Sequence, residues 1–379
     1  MNIALEDLAN KKVKGDLGLV ISDHTFDLAK FTGSELVFTG KGTRGLVFNN
    51  SREAQVTFKD ALIDNASTGV TLKFDKKTQK IKLAAINSKL LGKVGNSASQ
   101  MIYFLGEWSD VAIDGFEIDQ RRDSKTGSTE TGACVQLQGV IKAGHNLGDV
   151  SLTNMILRNC GDEPTYVNHF QREGGYVQGN NLRVDNVRVY GSGRDYFQQW
   201  GFRNVHYSKC YGENGMKEAD SNHWSAFSMN GDTDTLLIED CEFKGIAQLI
   251  YSGAPTSKIE ALIRNVKFTE GTHAGSRPNS SAYLKGPGKY IFENCVIDAP
   301  NVMKGAISAD GCDVLLKNTT TNAKKIEVPY NGGHVTVDKP VPVPVVTHRN
   351  VTVDEKTTVF EGKTTVQYFL EGKELTPVS

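Results

Sequence analysis

The segment TLLIEDCEF, residues 235–243, carries the pattern that decides the fold, and five other segments repeat it. Apolar and polar residues alternate on both sides of Asp240, which is typical of strands with one buried face. The aligned copies are DVSLTNMIL (149–157), NLRVDNVRV (181–189), EALIRNVKF (260–268), KYIFENCVI (289–297) and DVLLKNTTT (313–321). Each copy therefore predicts two short strands that meet at a single polar residue.

That polar residue indicates a turn, because Asn adopts positive φ more readily than most residues that carry a side chain. The position is held by Asn154, Asn186, Asp240, Asn265, Asn294 and Asn318, and in weaker copies by Asp60, Asn87, Gly115 and Lys209. Successive turn residues are separated by 23 residues (Asn186 to Lys209) to 39 residues (Gly115 to Asn154). A repeat of this length favours a solenoid, in which each repeat buries its apolar residues against its neighbours and stacked Asn amides can hydrogen-bond along the axis.

A third strand in each repeat is predicted to end on glycine. The segments are CVQLQG (134–139), GYVQG (175–179), FQQWG (197–201), FSMNG (227–231) and LIYSG (249–253). Three strands per coil with an Asn turn resemble the pectate-lyase-like β-helix superfamily over residues 50–337. The resemblance implies an all-β fold, a right-handed parallel β-helix of about ten coils. A β-sandwich is disfavoured, because its strands do not repeat a polar corner at one offset.

The ends of the chain differ from this repeat. Residues 1–49 are predicted to hold an N-terminal cap and the first coils, with helical spacing of apolar residues in NIALEDLANKKV (2–13). The Pro-rich stretch 338–346, DKPVPVPVV, predicts an extended linker after the parallel β-helix of residues 50–337. Residues 347–379 then predict a small C-terminal β segment with hairpin turns at its Glu-Gly pairs.

Composition excludes several classes of partner. The formal net charge is −1, so bulk electrostatics favours neither nucleic acid nor a membrane surface as a partner. Apolar runs are of strand length, far below a membrane span. The N-terminus has no apolar h-region, so we expect no secretory signal.

The six cysteines are scattered, and no CxxC pair points to a zinc site. Cys210, Cys241 and Cys295 share one repeat position, which predicts small side chains stacked in a core. We expect no disulfide framework in a chain of this length.

Outward positions of the glycine-ended strands predict a binding surface. Alternation directs amide and aromatic side chains outward on successive coils: Gln136 and Gln138, Tyr176 and Gln178, Gln198 and Trp200, Ser228 and Asn230. Amides offer donors and acceptors to sugar hydroxyls, and aromatic rings cover the apolar faces of pyranoses. An ordinary exposed sheet is the competing interpretation.

The three longest insertions follow largely the same strand, at 118–133, 160–175 and 211–226, and a shorter one lies at 190–195. Long loops in a compact fold are usually functional.

Two chemistries remain open. Glycoside hydrolysis needs two carboxylates, for which the candidates are Asp195, Glu213, Glu218 and Asp220. β-Elimination of a uronate needs a base and a cation, for which the candidates are Arg172, His169, Lys217 and Arg194. Trp224 adds an aromatic side chain for substrate binding.

The motifs of the enzymes in this superfamily are missing as sets, so no catalytic residue is transferred from them. The chain lacks the NTD, DD, GHG and RIK set of polygalacturonases and the WIDH-like and RxPxxR segments of pectate lyases. The interpretation is a phage-tailspike-like protein that binds and depolymerises a bacterial surface polysaccharide, located in the virion or released by lysis. The alternatives are a non-catalytic virion adhesin of the same fold and a bacterial polysaccharide lyase or hydrolase. No cofactor is expected, and no spacing of acidic residues supports a calcium site. The resemblance to tailspikes implies a homotrimer.

Overall fold

The computed structural model is all-β wherever it describes the chain. It describes residues 12–17, 25–27, 35–43, 45–49, 53–65, 70–75, 77–94, 100–121, 132–141, 148–171, 179–215, 225–253, 258–271, 280–298, 305–338, 353–360, 363–370 and 373–374. All regular elements in these ranges are strands, and none of these residues form a helix able to cross a bilayer. Residues 1–11, where most of the helical cap is predicted, lie outside the described residues.

The strands of the first half lie between residues 12 and 192. They are β1 (Lys12–Asp16), β2 (Thr25–Asp27), β3 (Glu35–Gly42), β4 (Leu46–Asn49), β5 (Glu53–Asp64), β6 (Leu72–Asp75), β7 (Lys77–Ile86), β8 (Lys89–Leu91), β9 (Ile102–Asp114), β10 (Glu117–Asp119), β11 (Val135–Ile141), β12 (Val150–Cys160), β13 (Thr165–Gln171) and β14 (Gly179–Ser192).

The remaining strands of the parallel stack are shorter. They are β15 (Phe197–Trp200), β16 (Phe202–Ser208), β17 (Tyr211–Gly215), β18 (Ser225–Asn230), β19 (Thr235–Glu239), β20 (Glu242–Lys244), β21 (Gln248–Ser252), β22 (Ile259–Arg264), β23 (Lys267–Thr269), β24 (Ser280–Lys285), β25 (Gly288–Glu293), β26 (Val296–Ile297), β27 (Gly305–Asp310), β28 (Asp313–Lys317), β29 (Thr320–Thr321), β30 (Glu327–Tyr330) and β31 (His334–Asp338).

These strands pair in parallel, as in a β-helix-like solenoid. From β15 onward, each strand up to β28 pairs with the third strand after it in the chain. Sheet B contains β2, β4, β6, the start of β9, β11, β13, β15, β18, β21, β24, β27 and β30, and sheet A contains the rest. In each repeat of sheet A the chain bends at the positive-φ turn residue. We call the residues before this bend the first arm of sheet A and those after it the second arm.

Every turn residue predicted from the repeat has the expected conformation. φ is positive at all ten, from 43° at Asn318 to 79° at Gly115. The side-chain amide of Asn186 donates to Oδ1 of Asn154 at 2.9 Å, and Asn318 donates to Asn294 at 2.7 Å. The predicted amide contacts between stacked turns are therefore confirmed at these positions.

The interior is filled by side chains that stack on their equivalents in the next repeat. Phe74 lies between Phe48 and Phe104, with ring centroids 4.8 and 4.3 Å apart. All three rings are fully buried. Parallel stacking in register places like residues over one another, so each ring contributes dispersion contacts to two neighbours.

The cysteines follow the prediction in one respect and depart from it in another. Cys210, Cys241 and Cys295 are all buried, and the backbone N–H of Cys210 donates to Sγ of Cys241 at 3.4 Å. Cys134 and Cys160 form a disulfide across 26 residues, a single bridge that the sequence analysis, which expected no disulfide framework, did not predict. Parallel stacking explains it, because it brings residues about one repeat apart in sequence close together.

The C-terminal unit, Lys339–Ser379, is antiparallel. Its strands are β32 (Val353–Phe360), β33 (Lys363–Leu370) and β34 (Lys373–Glu374), and the two Glu-Gly pairs fall between them. Residues 339–352, which include most of the predicted linker, lie outside the described residues.

Candidate functional site

A cleft of about 300 Å³ lies over the outer face of sheet B in the middle repeats. Its lining residues come from β11, β13, β15 and the connections that precede them: Ala133, Gln136, Gln138, Asp162, Glu163, Tyr166, Arg194, Gln198 and Trp200. Five of these, namely Gln136, Gln138, Arg194, Gln198 and Trp200, are predicted from the sequence as residues of the binding surface or of the chemistry beside it. The structure brings all five together.

The charged residues of the cleft come from two equivalent connections in consecutive repeats. Residues 161–164 join β12 to β13 and carry Asp162 and Glu163, and residues 193–196 join β14 to β15 and carry Arg194. Ser192 ties the connections together, because its hydroxyl donates to the Asp162 carbonyl at 3.1 Å and accepts from the Arg194 N–H at 3.2 Å. Parallel pairing of Cys160 with Ser192 sets this alignment.

A single guanidinium nitrogen contacts both carboxylates. Nη1 of Arg194 lies 3.1 Å from Oδ1 of Asp162 and 3.5 Å from Oε1 of Glu163. The Glu163 side chain is only 5% exposed, whereas that of Asp162 is 19% exposed. The two acids therefore differ in their contact with water although they are adjacent in sequence.

Burial and neighbouring charges affect the protonation of Glu163. Burial raises the pKa of Glu163 well above its ordinary value of 4.5, and the charge and hydrogen bond of Asp162 raise it further, while Arg194 opposes the shift. A buried acid with a second carboxyl group beside it retains its proton at pH values where an exposed glutamate has lost it. The pair thus offers a proton donor within a cleft.

Gln198 connects the two carboxyl groups to Trp200 on the outer face of sheet B, which forms the floor of the cleft. The donors of Trp200 and Asn230 fix the orientation of the Gln198 amide, because only an oxygen can accept from both. In that orientation its oxygen accepts from Nε1 of Trp200 at 3.1 Å and from Nδ2 of Asn230 at 3.2 Å, and its nitrogen donates to Oε1 of Glu163 at 2.8 Å. Gln198 lines the cleft but is only 5% exposed, so most of its side chain is shielded from solvent. It supports Trp200 and Asn230, which are both partly exposed.

Amides continue the floor on the N-terminal side. Gln100 donates to Gln136 at 2.6 Å, Gln136 donates to Gln138 at 3.1 Å, and the Tyr103 hydroxyl donates to Gln138 at 3.1 Å. This chain of hydrogen bonds fixes the orientation of partly exposed amides, which a polyhydroxylated ligand could then meet without a further ordering cost.

The register of sheet B aligns these residues in one row across the strands. Gln136 pairs with Tyr166, Tyr166 with Gln198, and Gln198 with Ser228. Tyr251 and Tyr283 extend the row, with ring centroids 5.5 Å apart. Together with Gln138, Trp200 and Asn230 we call this row the binding strip. Its residues are about 4.8 Å apart from strand to strand, so the strip is extended and suits an extended ligand.

The predicted strand at 175–179 is wrong for its place in this strip. The strand between β11 and β15 is β13, Thr165–Gln171, so Tyr166 holds the position expected for Tyr176. Tyr176 and Gln178 lie outside the described residues.

Two predicted carboxylates lie away from the cleft lining. Asp195 is 1% exposed, and its Oδ1 accepts from the Ser225 N–H at 2.6 Å and from the Ser225 hydroxyl at 2.8 Å. Glu213 lies on β17 in the second arm of sheet A, where the Tyr211 hydroxyl donates to its Oε2 at 2.6 Å. Both carboxylates support the local structure around them.

The other predicted residues belong to β13 or to connections outside the described residues. His169 lies within β13. The rest belong to connections outside the described residues: Arg172, Lys217, Glu218, Asp220 and Trp224. Among the described residues, no group of three or more His, Cys, Asp or Glu is arranged to hold a metal ion.

The chain matches no known family model, no characterised protein and no solved structure. The site therefore rests on its own geometry. The sequence places Asp162 and Glu163 in a loop beside the strip, but the carboxylate selected there was Asp195, and Tyr166 was not predicted. The available signal was the acidic pair in the segment CGDEPTY (160–166), directly before a strand that aligns with Gln136.

Proposed function

We propose that the chain is a right-handed parallel β-helix of about ten coils with three strands per coil, of the pectate-lyase-like type. Ten positive-φ turns at the predicted positions support the coil number. Pairing of each strand with the third one after it supports three strands per coil. The right hand follows from the general preference of parallel crossover connections.

We propose that the binding strip holds an extended bacterial surface polysaccharide and that the cleft hydrolyses it, as in a phage-tailspike-like depolymerase located in the virion or released by lysis. The observation that carries this proposal is the buried carboxyl of Glu163, with its raised pKa, beside Asp162 and Arg194 in a cleft lined by amides and aromatic rings. Glycoside hydrolysis needs such an acid to protonate the departing oxygen.

In this mechanism Glu163 donates its proton to the glycosidic oxygen, and Asp162 with Arg194 sets the proton affinity of Glu163. Asp162 is adjacent to Glu163 in the chain and contacts the same guanidinium nitrogen, so we place it on the same side of the scissile bond. The second carboxylate must lie about 5 to 9.5 Å away across the sugar. We propose Glu218 or Asp220 for it, because residues 216–224 join β17 to β18, the connection equivalent to those that carry Asp162 and Arg194.

The ion pairs of Arg194 favour hydrolysis over β-elimination. A lyase needs a cation to neutralise the carboxylate of a uronate substrate. Arg194 already contacts two carboxylates, so its charge is compensated within the protein. The proposed substrate is accordingly a polymer that is neutral at the bond to be cleaved.

The test is incubation of the purified protein with a panel of capsular, exo- and lipopolysaccharides. New reducing ends without ultraviolet absorbance support a hydrolase, and both signals together indicate a lyase. Glu163→Gln should abolish the reducing ends while binding remains, and Glu213→Gln, whose carboxylate lies outside the cleft, serves as the matched control. Full activity of Glu163→Gln would reject the assignment of the acid.

A non-catalytic adhesin is the second candidate. The observation that favours it is the 5% exposure of the Glu163 side chain, since a proton donor must reach its substrate. In that case polysaccharides bind along the strip, no product forms on any polymer, and Glu163→Gln alters stability without altering affinity.

A further inference from the structure

A row of apolar side chains crosses the outer face of the first arm of sheet A. Leu237, Leu262, Ile291 and Leu315 pair with one another on the consecutive strands β19, β22, β25 and β28. Each is half-buried, although side chains on this face point away from the interior. We call these four residues the apolar row.

The fold itself does not require apolar residues at this position. The same register continues through six preceding strands, where five of the six side chains are polar or charged: Gln55, Lys82, Ala112, Ser151, Arg183 and His206. His206 pairs directly with Leu237, and Leu315 pairs with Thr336 at the other end. The apolar row is thus a local property of four strands, which indicates a role that the scaffold alone does not explain.

Charged residues of alternating sign flank the row on both sides. One flank holds Glu260, Lys289 and Asp313, and the other holds Glu239, Arg264, Glu293 and Lys317. On each of β22, β25 and β28 the two flanking residues have opposite charge, as in the Glu260 and Arg264 pair. Arg264 forms an ion pair with Glu239, but the other five residues of the flanks form none within the described part of the chain.

We propose that a second copy of this chain docks on the apolar row. When two copies meet through it in parallel, the flank of one faces the opposite flank of the other at the same strand. Negative then meets positive on three strands, from Glu260 against Arg264 to Asp313 against Lys317. An antiparallel copy also places opposite charges together, for example Glu260 against Lys289. The surface is therefore complementary to itself, as flanking charges are in coiled coils.

This interface uses a different face from the binding strip. The apolar row lies on sheet A, and the strip lies on sheet B. The docking of a second copy therefore does not depend on the proposed polysaccharide function, and rejection of either proposal would leave the other standing.

Sedimentation equilibrium of the full chain over a range of protein concentrations tests the proposal. We expect an oligomer in which Leu262→Lys or Ile291→Lys raises the dissociation constant by about tenfold or more, because a lysine in the row would be buried without a partner. Val296→Lys is the matched control, since Val296 is an exposed apolar residue on the second arm at the level of Ile291. A wild-type chain that remains monomeric throughout would overturn the proposal.

Cross-linking identifies the surface. The four free native cysteines are buried, so only the thiol introduced into the row should react with a cross-linker. Leu262→Cys should cross-link to itself if the copies are parallel, and to Ile291→Cys if they are antiparallel. An oligomer that gives neither cross-link would contradict the row as the interface. A monomer whose Leu262→Cys thiol is protected from labelling would also overturn docking of a second copy.

Discussion

The side-chain amide of Gln198 donates to Oε1 of Glu163 at 2.8 Å, although the two residues lie in different repeats. An amide donor is compatible with either protonation state of the carboxyl, because the accepting oxygen retains a lone pair in both. The contact therefore holds Glu163 in place without fixing its charge. Burial and Asp162 raise its pKa, and Arg194 opposes the rise.

The raised pKa of Glu163 predicts a dependence of stability on pH. The folded protein binds the proton more tightly than the unfolded chain, so the contribution of this group is fully present below pH 4.5 and is lost as the pH rises through the folded pKa. Glu163→Gln should flatten this part of the profile. The measurement is denaturant unfolding at a series of pH values, with Glu213→Gln as control. An unchanged profile in Glu163→Gln would contradict the raised pKa.

Removal of an aromatic ring from the binding strip should weaken polysaccharide binding. Trp200→Ala and Tyr166→Ala are each expected to cost about 1 kcal/mol of binding free energy, or roughly a fivefold loss of affinity. Tyr190→Ala is the control, because Tyr190 is an outward aromatic residue on the second arm of sheet A, packed against Arg158 and Tyr211. Isothermal titration calorimetry with a polysaccharide that the wild-type protein binds measures the affinity of all three variants. Equal losses in all three variants would mean that the strip is not the binding surface.

The contribution of the positive φ of Asn186 to stability can be measured separately from that of its side-chain hydrogen bond. Asn186→Gly removes the bond to Asn154 and keeps the positive φ accessible, whereas Asn186→Ala removes the bond and adds strain. We expect the alanine variant to be less stable than the glycine variant by about 1 kcal/mol, since the left-handed conformation costs roughly that much with a Cβ. The free energy of unfolding in urea gives the comparison. Glycine and alanine variants of equal stability would argue against strain at this turn.

Thiol counting tests the assignment of the cysteines. Burial raises the pKa of Cys210 well above its ordinary value, so the native thiols should react slowly with alkylating reagents. Unfolding without a reductant should release four reactive thiols, and reduction should raise the number to six. The double variant Cys134→Ala/Cys160→Ala should lose about 3 kcal/mol of stability, the usual contribution of a disulfide that closes a loop of this size. Six thiols in the unreduced, unfolded protein would exclude the disulfide.

Much of the fold could be predicted because its signal is local and repeated. Alternation and a polar corner recur in one segment after another, and residues such as Asn265 need only their own backbone to adopt positive φ. The strand at Thr165–Gln171 was missed for a related reason. GYVQG (175–179) ends on glycine like its neighbours, but pairing follows the register with Gln136 and Gln198, which a single segment does not reveal.

The site was predicted less completely, because its chemistry depends on burial and on contacts across repeats. Glu163 and Asp195 are both acids in connections before sheet B, yet one lines the cleft and the other accepts hydrogen bonds from Ser225 behind it. The Cys134–Cys160 disulfide is likewise a contact between repeats. Sequence spacing alone does not distinguish these cases.

The unequal spacing of the turns has a consequence for how such a molecule can change. Asn186 and Lys209 are 23 residues apart, Gly115 and Asn154 are 39 apart, and the strands on either side keep the same register. Lengthening a connection therefore leaves the ladder of the next repeat undisturbed. Variation can accumulate in the connections around the cleft while the stacked interior stays constant, so a new ligand specificity can evolve by insertion without a redesign of the core.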